Sequence, residues 1–163
     1  MRVVFLPDGW TVLICFLLWP LIQVAISWSC LNIPDGRYRP DGFWFRTHAW
    51  EKDGLIYQTL FRVRSWKERL PDGGKAFRNG YQKKRLNDHS PANLERFLIE
   101  SCRAELAHWL AILPFWIFGF IAPPIILPLM LAYALIVNAP CIIAQRFNRP
   151  RVRKLLQRLP SEK

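Results

Sequence analysis

The chain has 163 residues, 52% of them hydrophobic and 14% aromatic, and its 23 Lys and Arg against 12 Asp and Glu give a formal charge of +11. That composition fits a small integral protein rather than a soluble domain. With no recognised nucleic-acid module, the charge points to anionic lipid headgroups or an acidic substrate moiety, not to nucleic acid.

In chain order, the first feature is an uncharged run from Gly9 to Pro34. Its centre, residues 10–31, is long enough to span a bilayer, and Trp10 and Trp28 suit the two interfaces. A cleaved signal peptide over residues 1–29 is the alternative, since Ala25-Ile26-Ser27 loosely fits a small-x-small site. Against it, the leading segment holds one basic residue, and Trp10, Pro20 and Trp28 are awkward within a signal core.

Residues 32–105 form a basic segment with 15 Lys or Arg against 10 acids. Phe43-Trp44-Phe45 is an aromatic cluster suited to the headgroup level. Trp50, Asp53, Gly54, Tyr57 and Phe61 recur at helical spacing, which predicts an interfacial amphipathic helix over 48–61. His48 and Asp53 there make an H-x4-D pattern, the spacing that glycerol-phosphate acyltransferases use for a His base. The glycine-rich and basic blocks expected downstream are missing, so the match reads as incidental. Pro71-Asp72-Gly73-Gly74 is a tight turn by composition. Trp66-Lys67 precedes it, and Lys75, Arg78, Lys83, Lys84 and Arg85 follow as a positive surface.

Ser90 and Pro91 read as N-cap and first residue of a helix. At about 100° per residue, Leu94, Phe97, Leu98, Ser101, Glu105, His108 and Ile112 share an inner face. Arg96, Glu100, Arg103 and Ala107 fall opposite, where charge is expected to stay hydrated. A carboxylate and an imidazole on the buried stripe cost free energy unless paired. Glu105 and His108 therefore either satisfy each other and neighbouring groups structurally, or form an acid/base pair.

No charged residue occurs from Leu106 to Gln145, a run of 40 residues. As one helix it would be about 60 Å long, twice a bilayer core. Pro123-Pro124 near its midpoint predicts two short spans, 106–122 and 125–144. The tail, 145–163, carries Arg146, Arg149, Arg151, Arg153, Lys154, Arg158 and Lys163 against Glu162 alone. The expectation is thus a single all-α membrane domain with about three transmembrane helices. The central segment and tail would be cytoplasmic and the N-terminus outside. Cys15, Cys30, Cys102 and Cys141 are scattered without metal or redox spacing. No nucleophile elbow, metal site or cofactor motif is evident.

Four collinear blocks carry a resemblance. They are Arg62-Val63-Arg64-Ser65-Trp66-Lys67-Glu68-Arg69-Leu70-Pro71-Asp72-Gly73-Gly74, Glu100-Ser101-Cys102-Arg103-Ala104-Glu105-Leu106-Ala107-His108-Trp109, Asn138-Ala139-Pro140, and Gln145-Arg146-Phe147-Asn148-Arg149-Pro150-Arg151. Together, with a looser match at Trp50-Glu51 and Gly54-x-x-Tyr57, they resemble the glycosyl-4,4'-diaponeurosporenoate acyltransferase family, small bacterial membrane proteins of staphyloxanthin-type carotenoid synthesis. The resemblance implies a multi-pass enzyme of the bacterial cell membrane that esterifies a sugar hydroxyl of a glycosylated carotenoid, or a related glycolipid, with a fatty acyl chain. The donor would be acyl-CoA or an acyl carrier protein, and membrane lipids would surround the protein. On this reading His108 is the general base, oriented by Glu105, and Asp72 is a second candidate acid or base. Trp66, Lys67, Arg103, Asn138, Gln145, Arg146, Asn148 and Arg149 are candidates for binding substrate. The alternatives are a non-catalytic membrane subunit that organises a lipid or carotenoid pathway, or a transferase acting on another lipid acceptor.

Overall fold

The structure, a computed structural model, describes residues 2–70 and 89–159. The turn at 71–74 with Asp72, and the bases from Lys75 to Arg85, lie outside the described residues. Among the described residues there are four α-helices: α1 (Asp8–Asn32), α2 (Leu55–Phe61), α3 (Pro91–Ile112) and α4 (Ile126–Arg158). Short 3₁₀ turns occupy Asp35–Arg37, Ala49–Gly54, Val63–Ser65 and Lys67–Arg69, and a longer one Leu113–Phe120. No strand occurs among the described residues, so the molecule is all-helical, as expected.

Among the described residues two helices, α1 and α4, are long and apolar enough to cross a membrane. Phe16, Leu17 and Leu21 on α1 and Leu129, Leu135 and Ile136 on α4 are exposed, the distribution a lipid solvent favours. The expected span at 106–122 takes another form. α3 ends at Ile112 and the chain continues as the 3₁₀ segment Leu113–Phe120. Pro114 has no N–H to continue the α-helical ladder there, which accounts for the change. α4 starts beyond Pro123-Pro124 but does not stop near 144. It runs for 33 residues, about 50 Å, so the second half of the apolar run and the basic tail are one helix.

The chain divides into two compact units, Met1–Ile33 with Leu106–Pro140, and Pro34–Glu105 with Cys141–Lys163. In the first unit Trp19 is buried, its ring centroid 5.6 Å from that of Phe118 and 5.5 Å from that of Tyr133. Gln23 donates its amide N–H to the Ala111 carbonyl (2.9 Å). The Val3 and Val4 amides both donate to the Phe120 carbonyl, at 2.8 and 3.0 Å.

In the second unit, α3 begins as its sequence predicts, with the Asn93 amide donating to Ser90 Oγ (3.4 Å). Leu94, Phe97 and Leu98 pack with Val152, Leu155, Leu156 and Leu159. A second cluster joins Tyr57, Val63 and Phe147 to Ile56, Trp66 and Ile143. Burial of Leu94, Phe97, Leu98, Ser101 and Glu105 bears out the inner stripe. The outer stripe needs correction. Glu100 and Arg103 are buried rather than hydrated: they pair with each other, and Asp35 and Tyr38 from the preceding segment contact Arg103.

The helix expected over 48–61 is broken. Lys52 (φ 48°), Asp53 (φ 55°) and Gly54 (φ 80°) adopt left-handed backbone, and only Leu55–Phe61 is α-helical. Gly54 explains the break: a Cβ there would lie 3.1 Å from the Phe147 carbonyl oxygen and 3.3 Å from that of Arg146. The chain turns left-handed to lay a bare backbone against α4.

Candidate active site

The second unit holds a buried cluster of four charges. Glu51 and Glu105 are each 1% exposed, and Arg149 is 3% exposed. Arg146 donates from Nη1 to Glu51 Oε1 (2.8 Å) and from Nε to Glu105 Oε1 (2.6 Å). Arg149 Nη2 lies 2.6 Å from Glu105 Oε2. Further guanidinium N–H groups donate to carbonyls, Arg146 to Trp44 (2.8 Å) and Arg149 to Phe45 (2.8 Å) and Ser101 (3.1 Å), while the buried Arg149 Nε makes no hydrogen bond among the described residues. Two arginines on adjacent turns of α4 thus neutralise two carboxylates drawn from distant segments. Each ion is paired and hydrogen-bonded, the condition under which buried charge is tolerated.

Glu51 also accepts from the Tyr57 hydroxyl (2.5 Å) and from the His48 amide (2.6 Å). Burial alone would raise its carboxyl, but the hydrogen bonds from Tyr57, Arg146 and His48, with the charge of Arg146, hold it below the usual carboxylate value. The Tyr57 phenol is pushed well up, by burial and then by its bond to the Glu51 carboxylate, so it remains a donor. A second network joins Arg103 to Glu100 and Asp35, with Arg96 on Asp35 (2.7 Å) and on Glu100 (2.9 Å). Burial works against the Arg103 charge, yet its two acid partners raise its pKa overall.

In the first unit, His108 Nδ1 lies 2.9 Å from Asn138 Oδ1. Asn138 is buried, and its Nδ2 donates to the Ala134 carbonyl one helical turn away (2.9 Å). That second bond orients the amide, because only its nitrogen can donate. The oxygen therefore faces the imidazole and can only accept, so in the neutral ring Nδ1 carries the hydrogen and Nε2 a lone pair. His108 is itself half-buried.

These contacts sort the residues singled out from sequence. Glu105 meets Arg146 and Arg149, and His108 meets Asn138. Lys67 Nζ donates to Asn148 Oδ1 (3.1 Å), and Trp66 Nε1 to the Phe61 carbonyl (2.6 Å). Arg103 belongs to its own network, Gln145 is half-buried, and Asp72 lies outside the described residues. Of the H-x4-D pair, Asp53 bonds Lys154 (2.6 Å), while His48 stacks on Trp50. Sequence reasoning missed Glu51 and Tyr57 as members of the charge cluster. The signal was present in the looser matching blocks Trp50-Glu51 and Gly54-x-x-Tyr57, where an acid precedes an aromatic by six residues.

Comparison with known proteins adds a family. Residues 41–158 match the family model described as glycosyl-4,4'-diaponeurosporenoate acyltransferase. Curated relatives of that name include one from Staphylococcus aureus strain MRSA252, 38% identical over 147 residues, which covers 90% of this chain and 88% of the relative. Those of strains bovine RF122 / ET3-1 and USA300 are 37% and 36% identical over the same shares of each chain. No solved structure matches.

Proposed function

Since the chain belongs to the glycosyl-4,4'-diaponeurosporenoate acyltransferase family and is an acyltransferase, we propose that it moves a fatty acyl group from a thioester donor to a sugar hydroxyl of a glycosylated carotenoid at the membrane surface. The observation that carries the mechanism is the chain of bonds from His108 Nδ1 through Asn138 to the Ala134 carbonyl, which leaves Nε2 as the basic atom. The Nε2 lone pair takes the hydroxyl proton as the sugar oxygen attacks the acyl carbonyl carbon. The tetrahedral adduct collapses with cleavage of the carbon–sulfur bond. The imidazolium then returns the proton to the departing thiolate, so the base is restored each turnover.

Glu105 serves this reading by holding α3 against α4 through Arg146 and Arg149, and the imidazole is oriented by Asn138. Asp72, Gln145, Arg103 and Trp66 remain proposed substrate or acid/base groups.

Both an acyl chain and a carotenoid are bilayer solutes, so the enzyme is read as a multi-pass protein of the cell membrane with α1 as one span. The ion pairs from Glu51 and Glu105 to α4 tie the central segment to the basic tail and support their lying on one side of the bilayer. The intervening apolar run would then enter and leave by the same face, as the proposed spans 106–122 and 125–144 require.

The test is turnover by the purified full chain in lipid nanodiscs, with acyl-CoA and a glycosylated carotenoid, followed by product mass spectrometry. His108→Gln should lose about 10²–10⁴-fold in rate at unchanged membrane abundance, because an amide keeps the polar contact but takes up no proton. Full activity in that variant would show that His108 is not the base.

A further inference from the structure

Several polar groups of the second unit stand outside its charge balance. Lys67, already bonded to Asn148, has its Nζ 5.4 Å from the centroid of the Phe147 ring. The Arg151 guanidinium carbon lies 3.4 Å from the centroid of that same ring, and its Nη1 donates to the Phe147 carbonyl. A Cβ at Gly54 would come within 3.3 Å of that nitrogen, so the bare glycine leaves room for the arginine. An aromatic face and neutral oxygen acceptors hold both cations in place.

Neither Lys67 nor Arg151 has a carboxylate within ion-pair distance among the described residues. The contrast with Arg103, Arg146 and Arg149, each matched to an acid, is direct. Burial, followed by the charge of Arg151, pulls the Lys67 ammonium below its usual pKa; Glu68 acts against this and Arg64 adds to it. The two half-buried cations next to this ring repel each other, a cost that an anion held by both would relieve. Lys67 also fixes the Asn148 amide: Oδ1 accepts from the ammonium, so Nδ2 is a further donor on the same side chain.

We propose that Lys67, Arg151 and Asn148, with exposed Arg64 at the rim, form a binding site for a phosphate ester. A guanidinium fork takes two phosphate oxygens, an ammonium supplies a compact charge and an amide N–H a third kind of donor. Two sources offer this group. Under the acyl-transfer reading, on which this assignment of a source rests, it is the phosphate of the pantetheine arm common to coenzyme A and acyl carrier protein. A phospholipid headgroup presents the same chemistry.

Binding, rather than turnover, separates this proposal from the catalytic one. The full chain in nanodiscs of a phosphate-free glycolipid is titrated with S-alkyl-4'-phosphopantetheine and with S-alkyl-pantetheine, unreactive thioethers that differ only in the phosphate. In parallel, retention of phosphatidic acid over diacylglycerol, which differ only in the phosphate, is read by native mass spectrometry. The expected result is a phosphate preference of about 10-fold or more in one arm, which identifies the source. Lys67→Gln and Arg151→Gln should each erase most of it, Lys67→Arg should keep it, and His108→Gln should leave it unchanged. Absence of a preference in both arms, or a preference indifferent to the Lys67 and Arg151 substitutions, overturns the site. Phosphate binding that persists in a chain with no acyl transfer under any donor would instead count against the catalytic reading alone.

Discussion

Glu105 and His108 sit three residues apart on one helix, yet their recorded partners differ in kind. Glu105 compensates two buried guanidinium groups, so Glu105→Ala strands positive charge and should cost about 3–5 kcal/mol, read as lost abundance and a lower unfolding temperature in detergent. Replacing Arg149 by Met in the same chain should recover part of that loss, since it removes one of the stranded charges. Asn138→Leu takes away the acceptor for His108 Nδ1. It should reduce kcat to a value between those of the wild type and His108→Gln, with the protein still folded. Helical periodicity alone marked Glu105 as a buried acid and His108 as a residue on the same face. The partners are not legible as such: from sequence Arg146 and Arg149 stand among the candidates for binding substrate, because a one-dimensional pattern cannot show that carboxylates from two other segments reach them. Glu51 supplies a pH test. Its carboxyl is held below the usual value, so its ionised form contributes stability that is complete above the ordinary carboxylate range of about 4.3 and is lost as pH falls through the lowered value. Unfolding temperature followed from pH 7 down to 3 should drop through that window, and Glu51→Gln should flatten the drop.

Local patterning read the start of α3 well, because Ser90 and Pro91 are short-range signals and the cap is made within four residues. It failed at 48–61 for the opposite reason. The spacing of Trp50, Tyr57 and Phe61 is helical, but the close approach of Gly54 to α4 dictates left-handed backbone at Lys52, Asp53 and Gly54. Gly54→Ala should therefore cost about 1–3 kcal/mol through backbone strain and crowding of the Phe147 carbonyl, measured as a fall in unfolding temperature. Similarly, the charge pattern suggested that the last helix would end near 144. Phe147 on one side of the basic tail and Val152 and Leu156 on another pack on the central segment in two apolar clusters, and they carry α4 through to Arg158.

For the whole molecule, the all-helical class and two apolar helices followed from the two uncharged runs, which are properties of composition over long windows. Topology remains a proposal with a direct check. Single cysteines at Ser90 and Ser161, in a background without the native cysteines, should label from the same side of intact membranes, and labelling from opposite sides would sink the three-span arrangement. The Arg146 and Arg149 clamp also has a consequence in time. Every group it engages, from Trp44 and Glu51 to Ser101 and Glu105, precedes it in the chain. As synthesis proceeds, the two carboxylates are therefore made well before the cations that allow their burial, and the central segment has to wait in a hydrated, open form. A chain truncated after Gln145 should stay in that form and be degraded or readily cleaved by protease, whereas truncation after Arg158 should be tolerated.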